Sequence, residues 1–187
     1  MAEKRLIETF NRIPHHFFVT TGAGQITQDA GSDHFETGSY DLALLEAKIE
    51  NFNVVKYTSV MPPEAEEITL EEAQEYFHHG AVLETIMAQM NGEQGQHICA
   101  GVGRCKVKVG GEFIGGFAAE YEGFASSEKA KKILENDLKG IIKRRYHNAV
   151  VEVFDFEFAI KDLIVDKEYG TVLAAICFVT YLYPVRE

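Results

Sequence analysis

A Thr-Ser bond between an apolar segment and a double proline is the feature of this sequence with the clearest chemistry. Thr58 and Ser59 follow the strand-like segment Phe52–Tyr57, and Pro62 and Pro63 come shortly after. Proline fixes φ and lacks an N–H, so these two prolines should force the chain out of any strand ladder. The junction predicts that the Ser59 hydroxyl can press against the Thr58 carbonyl carbon.

Attack at that carbonyl would move the acyl group of Thr58 from nitrogen to oxygen. Elimination of the resulting ester would leave dehydroalanine, which hydrolyses to ammonia and a pyruvoyl group at residue 59, so that a serine becomes an electrophile. The alternative for an isolated serine in such a place is a turn residue that hydrogen-bonds its neighbours. The surrounding residues favour the reactive interpretation.

Three segments flank or follow the junction in a recognisable order: Tyr40–Asn53, Thr58–Glu66 and Ala119–Gly123. Together they resemble the pyruvoyl-dependent arginine decarboxylase family. The likeness runs from about residue 18 to the C-terminal end, and the Thr-Ser junction and the segment Gly80–Glu84 are most similar to the chlamydial branch.

The resemblance implies a single domain, 1–187, that cleaves itself into a β chain, 1–58, and an α chain, 59–187. It implies decarboxylation of L-arginine to agmatine and CO₂ through a Schiff base on the pyruvoyl group formed from Ser59, with neither pyridoxal phosphate nor a metal. Two alternatives stay open at this point. One is a pyruvoyl decarboxylase of another amino acid, such as histidine or lysine, and the other is an unprocessed, catalytically silent homologue that binds a cationic small molecule.

A decarboxylase must also protonate the carbanion that remains, which calls for an acid whose pKa is raised by an apolar setting. Glu120 follows the small, apolar segment Phe113–Ala119 and matches the first acidic position of the family's Glu-Tyr-Glu-Gly motif. Glu122 lies two residues further on, on the same face of a strand, and pattern alone allows either to be an ordinary strand-end carboxylate. The resemblance assigns the acid to Glu120.

Three other residues gain roles from the resemblance. Asp41 matches the position that binds the substrate guanidinium, although its position also suits a helix N-cap. Asn53 matches the residue that assists self-processing, which the resemblance implies as a donor to the oxyanion formed when Ser59 attacks. The alternative is an ordinary asparagine at the start of a strand. Glu50 stands where archaeal relatives carry a glycine, so it could narrow the substrate pocket or add a second acid.

Composition narrows the class of protein. The 187 residues include 46% apolar side chains, which fits one globular domain. The net charge of −11 argues against nucleic acid or an anionic membrane as a partner. No segment has the length and apolarity of a membrane span or a signal core, so we expect a cytoplasmic protein.

The cysteines and histidines predict no metal site. Cys99, Cys105 and Cys177 match no zinc-binding spacing and are expected to be buried free thiols. The pairs at 15–16 and 78–79 are adjacent in sequence, and adjacent side chains on a strand point to opposite faces, so we expect loop or surface histidines.

The hydrophobic pattern predicts two main helices and about seven strands, an α+β layered sandwich of mainly antiparallel sheets. The resemblance implies a four-layer αββα sandwich and an obligate oligomer, a homotrimer or hexamer with each active site between neighbouring subunits. The predicted helices are Tyr40–Ile49, Glu71–Phe77 capped by Thr69, and a longer one capped by Ser126 or Ser127. The predicted strands include Phe17–Thr20, closed by a turn at Thr21–Gly24, an antiparallel meander over Ala81–Met90, Ile98–Val109 and Phe113–Tyr121 with turns at Asn91–Gly92 and Gly110–Gly111, then Val150–Ile160 and a mid-sheet strand in Thr171–Tyr183.

Overall fold

The computed structural model describes residues 11–27 and 35–184 of the chain. The helices in these ranges are α1 Tyr40–Ala47, α2 Leu70–Ala73 and α3 Ser127–Arg145, with a π-helical turn at Phe35–Ser39 and a 3-10 turn at Gln74–Tyr76. The strands are β1 Ile13–Pro14, β2 His16–Ile26, β3 Asn53–Lys56, β4 Val60–Met61, β5 Glu66–Glu67, β6 Val82–Glu93, β7 His97–Val109, β8 Glu112–Gly123, β9 Val151–Ile164, β10 Tyr169–Phe178 and β11 Tyr181–Leu182.

These strands form two large sheets and one small one. The larger sheet has the order β3-β6-β10-β2-β5, in which β10 pairs antiparallel with both β6 and β2, while β3 and β5 pair parallel at the edges. The second sheet, β4-β8-β7-β9, is antiparallel throughout, and β1 pairs with β11. The prediction of an α+β fold with mainly antiparallel sheets is confirmed, as is the central place of β10, which is apolar on both faces.

Helix α1 packs on the larger sheet because two glycines of β2 let it come close. A Cβ atom at Gly22 would lie 2.0 Å from the Ala43 carbonyl oxygen, and one at Gly24 would lie 2.1 Å from the Ser39 carbonyl oxygen. The predicted turn at Thr21–Gly24 is therefore wrong. The strand continues to Ile26, and its glycines make room for the helix instead of bending the chain.

Four apolar clusters fill the spaces around the two sheets in the described part of the chain, one of them formed by Ala88, Ile98, Ala100, Val165 and Val172. The first joins α1 to the larger sheet through Phe18, Ala43 and Leu83, and the second lies between the sheets and includes Ile86, Val102, Ala118 and Ile176. The third joins α3 to the second sheet. Its buried helical side chains are Leu134, Leu138 and Ile142, which lie on the face that the 3.6-residue period of this helix predicts.

The predicted meander is wrong at its first strand. β6 belongs to the larger sheet, whereas β7 and β8 belong to the second, so the β6–β7 turn crosses between sheets. That turn lies at Gln94–Gly95, while Asn91 and Gly92 remain inside β6, paired with Thr171 and Gly170 of β10. The turn at Gly110–Gly111 is confirmed.

The start of α2 agrees with the sequence prediction more closely than the turns and the sheet membership do. Thr69 caps α2, as predicted, and the structure adds a capping box with Glu72. Helix α2 is shorter than expected and continues as a 3-10 turn. Helix α1 ends at Ala47, before Lys48 with its φ of 65°.

The three cysteines are buried free thiols, and burial raises the pKa of Cys99 and of Cys105 to about 11. Across residues 11–27 and 35–184, we find no helix with the length and apolarity to cross a membrane.

Candidate active site

The segment from Tyr57 to Ser59 carries the chain from one large sheet to the other. The Tyr57 N–H donates to the Thr85 carbonyl oxygen of β6 at 2.6 Å, and the Ala118 N–H of β8 donates to the Ser59 carbonyl oxygen at 3.0 Å. Thr58 lies between these anchors, exposed and outside both sheets. The Thr58–Ser59 peptide bond is thus held from both sides at an accessible position.

The prolines end the next short strand, as the sequence predicts. β4 stops at Met61, and the chain turns at Pro62, whose carbonyl oxygen accepts from the Ala65 N–H at 3.1 Å. Gly115 of β8 lies against this turn with a φ of +95°, and a Cβ atom there would lie 2.4 Å from the Met61 carbonyl oxygen. A glycine is needed at this point, because an L side chain rarely adopts that φ and would collide with the backbone.

Glu120 lies beside Ser59. Atoms around its carboxyl group displace water and raise the pKa of Glu120, while contact with the Ser59 side chain and the positive charge of Lys56 act in the opposite direction. Glu122 adds a smaller, like-charge contribution that also raises this pKa. The structure therefore brings two predicted site residues, Ser59 and Glu120, together. The side chain of Glu120 nevertheless remains open to solvent in the single chain.

A second carboxylate near the crossing was not predicted. Glu84 of β6 is 6% exposed and forms an ion pair with Arg12. The guanidinium of Arg12 also lies over the Tyr181 ring, 4.7 Å from its centroid. Burial, followed by hydrogen bonding to the Glu84 side chain and then by its charge, raises the pKa of Tyr57 and of Tyr181. An acidic residue inside an apolar strand is a signal of a buried charge, but its partner lies 72 residues away.

Asn53 does not reach Ser59 within one chain. Asn53 lies at the opposite end of β3, about 20 Å from Ser59 if the intervening residues are extended, and its amide donates to the Gly80 carbonyl oxygen at 2.8 Å. Asp41 is exposed in the first turn of α1, where Ser39 is the N-cap residue, so the helix-capping alternative for Asp41 is wrong.

Glu50 lies in a pocket of its own, away from the strand crossing. Its Oε1 accepts from Asn51 Nδ2 at 2.9 Å, while its Oε2 is buried without a hydrogen-bond partner. The pocket has a volume of about 280 Å³ and is also lined by Lys48, His78 and His79. Within the single chain, Glu50 therefore does not narrow a pocket next to Ser59.

The first histidine pair differs from expectation. His15 lies in the break between β1 and β2, so the alternation of a regular strand does not apply, and the rings of His15 and His16 stack with their centroids 4.0 Å apart. The prediction that these two side chains point to opposite faces is wrong. At the second pair, His78 Nδ1 lies 2.9 Å from the His79 carbonyl oxygen, and both residues are exposed, as expected for loop histidines.

Comparison with known proteins agrees with the resemblance found in the sequence. A family model described as pyruvoyl-dependent arginine decarboxylase matches residues 16–183. The pyruvoyl-dependent arginine decarboxylase AaxB of Chlamydia abortus is 37% identical over 181 residues, which cover 91% of this chain and 93% of the relative. AaxB of Chlamydia muridarum is 36% identical over the same shares. Pyruvoyl-dependent arginine decarboxylase 1 of Archaeoglobus fulgidus is 28% identical over 89% of this chain and 99% of the relative.

Proposed function

We propose that this chain, which belongs to the pyruvoyl-dependent arginine decarboxylase family, cleaves itself between Thr58 and Ser59 and then decarboxylates L-arginine to agmatine and CO₂. The observation that carries the proposal is the strand crossing, where an exposed Thr58 separates two anchored residues and Ser59 contacts Glu120. Membership in the family supports the substrate and the cofactor class.

Self-processing uses only the chain's own atoms and water. The Ser59 hydroxyl adds to the Thr58 carbonyl carbon, the C–N bond breaks, and the freed amino nitrogen stays on residue 59. Loss of the α-proton then expels Thr58 as a carboxylate and leaves a dehydroalanine, which hydrolyses to ammonia and the pyruvoyl group. The hydrogen bonds at Tyr57 and at the Ser59 carbonyl oxygen hold the reacting bond while its neighbours rearrange.

In decarboxylation the pyruvoyl group supplies a carbonyl that captures the substrate amine and accepts the electrons of the bond that breaks. Glu120 delivers a proton to the carbon that has lost CO₂. The raised pKa suits this task, because a carboxyl group with an ordinary pKa would be almost entirely ionised at neutral pH. Contact with Ser59 places this acid next to the residue that becomes the pyruvoyl group.

The complete site requires a second subunit in this proposal. Asn53 is far from Ser59 in one chain, so Asn53, and Asp41 with it, would act on the Ser59 of a neighbour in a trimer of four-layer αββα subunits. Exposed apolar side chains support an interface near Asp41, since Leu42 and Leu45 of α1 are 40% and 46% exposed. Two such trimers would pair into a hexamer if their exposed apolar side chains also contact each other.

Subunit mixing tests the shared site. Processed Asp41→Ala and Glu120→Gln variants are each expected to be nearly inactive, and mixing them under exchange conditions should create some sites that lack both substitutions. Partial recovery of agmatine formation is the expected result. No recovery despite exchange demonstrated by native mass spectrometry would place both residues in a site within one subunit, and the shared-site proposal would fail.

A substrate assay tests the activity itself. We expect CO₂ release from L-arginine, with far slower release from L-lysine and L-histidine, and none from a Ser59→Ala chain. Faster turnover of another amino acid would overturn the choice of arginine. Equal activity of the Ser59→Ala chain would overturn the whole proposal, since that chain cannot form a pyruvoyl group at residue 59.

A further inference from the structure

Two histidines and a glutamate meet where the small sheet adjoins the larger one. His15 and His16 lie at the β1–β2 junction, and Glu66 opens β5. One ligand atom from each side chain lies within 4.8 Å of the other two, and His16 Nε2 is 3.9 Å from Glu66 Oε2. Among the residues that the structure describes, this is the one group of three or more metal-ligating side chains with such spacing.

The backbone holds these three residues in place before any ligand binds. The His15 N–H donates to the Thr180 carbonyl oxygen at 2.9 Å, and the His15 carbonyl oxygen accepts from the Glu66 N–H at 3.1 Å. The His16 N–H donates to the Thr180 hydroxyl at 3.0 Å, and its carbonyl oxygen accepts from the Val179 N–H at 2.9 Å. Because the main chain is fixed, only the side-chain rotations need ordering when an ion binds.

One ring nitrogen of this group lacks a hydrogen-bond partner. His16 Nδ1 is buried and has no hydrogen-bond partner, which is costly for a ring nitrogen. The carboxylate of Glu72 interacts electrostatically with His16, and the Tyr76 ring lies 6.4 Å from the His16 ring between centroids. A cation at this place would meet two neighbouring carboxylates, so its charge would be balanced.

Two imidazoles and one carboxylate are a ligand set that suits Zn²⁺ and similar divalent transition ions. Zinc bonds of about 2.0–2.1 Å in tetrahedral geometry require ligand atoms roughly 3.3 Å apart. The present separations are somewhat longer, and the partly exposed side chains of His16 and Glu66, at 26% and 69%, leave them free to close. Three protein ligands would leave a fourth position for water.

We propose that His15, His16 and Glu66 bind one divalent transition-metal ion of the Zn²⁺ class. A consequence rests on the proposed function. Cleavage after Thr58 would leave both histidines on fragment 1–58 and Glu66 on fragment 59–187, so the ion would join the two fragments across the cut. The role of such an ion is structural, as a link between chains that no longer share a covalent bond.

Calorimetry with Zn²⁺ tests the site on a Ser59→Ala chain, which has the ligands but no cut. After treatment with a chelator and its removal, we expect one Zn²⁺ per chain, with affinity at least tenfold weaker in His15→Ala and in Glu66→Gln. The matched control is His78→Ala/His79→Ala, which removes the other adjacent histidine pair and should leave affinity unchanged. Absence of binding, or equal affinity in Glu66→Gln, whose substitution is at an exposed side chain, would overturn the proposal.

Two further readouts separate the possible failures. Co²⁺ in place of Zn²⁺ should give visible bands without a thiolate charge-transfer band, since the three cysteines are buried; a thiolate band would assign the ion to cysteine and overturn the site. In the processed wild-type protein, Zn²⁺ should raise the urea concentration at which fragment 1–58 separates from fragment 59–187. In the processed Glu66→Gln variant, Zn²⁺ should leave that concentration unchanged. Binding to the Ser59→Ala chain without any cut in the wild type would leave the metal site standing and remove only the proposed function.

Discussion

Glu120 and Glu84 lie on either side of the same strand crossing, in opposite surroundings. Glu84 is buried between the sheets, and its charge is met by the guanidinium of Arg12. Glu120 forms no ion pair within the part of the chain that the structure describes, and loss of water around it raises its pKa. The comparison teaches that burial alone does not identify a proton donor. Glu84 has a guanidinium beside it, whereas the carboxyl group of Glu120 is partly desolvated and has no such ion pair among the described residues, so Glu120 is the better proton donor.

The largest expected effect is a loss of activity when the carboxyl group of Glu120, next to Ser59, is removed. Glu120→Gln keeps the shape of the side chain but cannot donate a carboxyl proton, so kcat for arginine should fall roughly 10²- to 10⁴-fold. Self-processing should continue, which mass spectrometry of the fragments checks. The matched control is Glu122→Gln, two residues along the same strand, which should keep kcat within about threefold. Equal losses in both variants would contradict the role of Glu120.

The pH dependence of kcat should follow the same group. Desolvation raises the pKa of Glu120, so its acid form persists further toward neutral pH than that of an ordinary glutamate. As pH rises through that raised pKa, the acid form is lost, and kcat should fall about tenfold per pH unit. A steady-state profile with arginine measures this decline. A profile of the same shape for the residual activity of Glu120→Gln would assign the decline to another group.

On the structural side, the expected loss is one of stability. Arg12→Ala would leave the Glu84 carboxylate buried without a cation, which should lower the free energy of unfolding by about 1–3 kcal/mol in urea. Arg144→Ala, at an exposed residue in the last turn of α3, is the control and should cost less than about 1 kcal/mol. Adding Glu84→Gln to Arg12→Ala removes the stranded charge and should restore part of the loss. No difference between the two arginine variants would mean that the buried pair contributes nothing.

Local patterns in the sequence predicted local structure well. The Thr69 cap, the buried face of α3 and the end of β4 before the prolines each depend on neighbouring residues, and all three are confirmed. The contact between Ser59 and Glu120 joins two predicted residues, although the family resemblance, rather than periodicity, selected them.

Features that depend on distant contacts were missed or misread. Gly22 and Gly24 look like turn residues until the helix that packs on them is known. The two-residue period of a strand does not reveal which sheet that strand joins, so the sequence predicts β6 beside β7 although the two belong to different sheets. The pair of Arg12 and Glu84 spans 72 residues, and nothing local indicates it. His15 departs from strand alternation because a break separates β1 from β2.

The most direct test of the account is the covalent state of residue 59. The purified chain should be incubated, treated with borohydride or a hydrazine, and analysed by intact and peptide mass spectrometry. The account predicts fragments 1–58 and 59–187, with the trapped carbonyl at the first residue of the larger fragment. A single uncut chain with serine at 59 after prolonged incubation would contradict it, and so would a cut chain whose larger fragment begins with an unmodified serine.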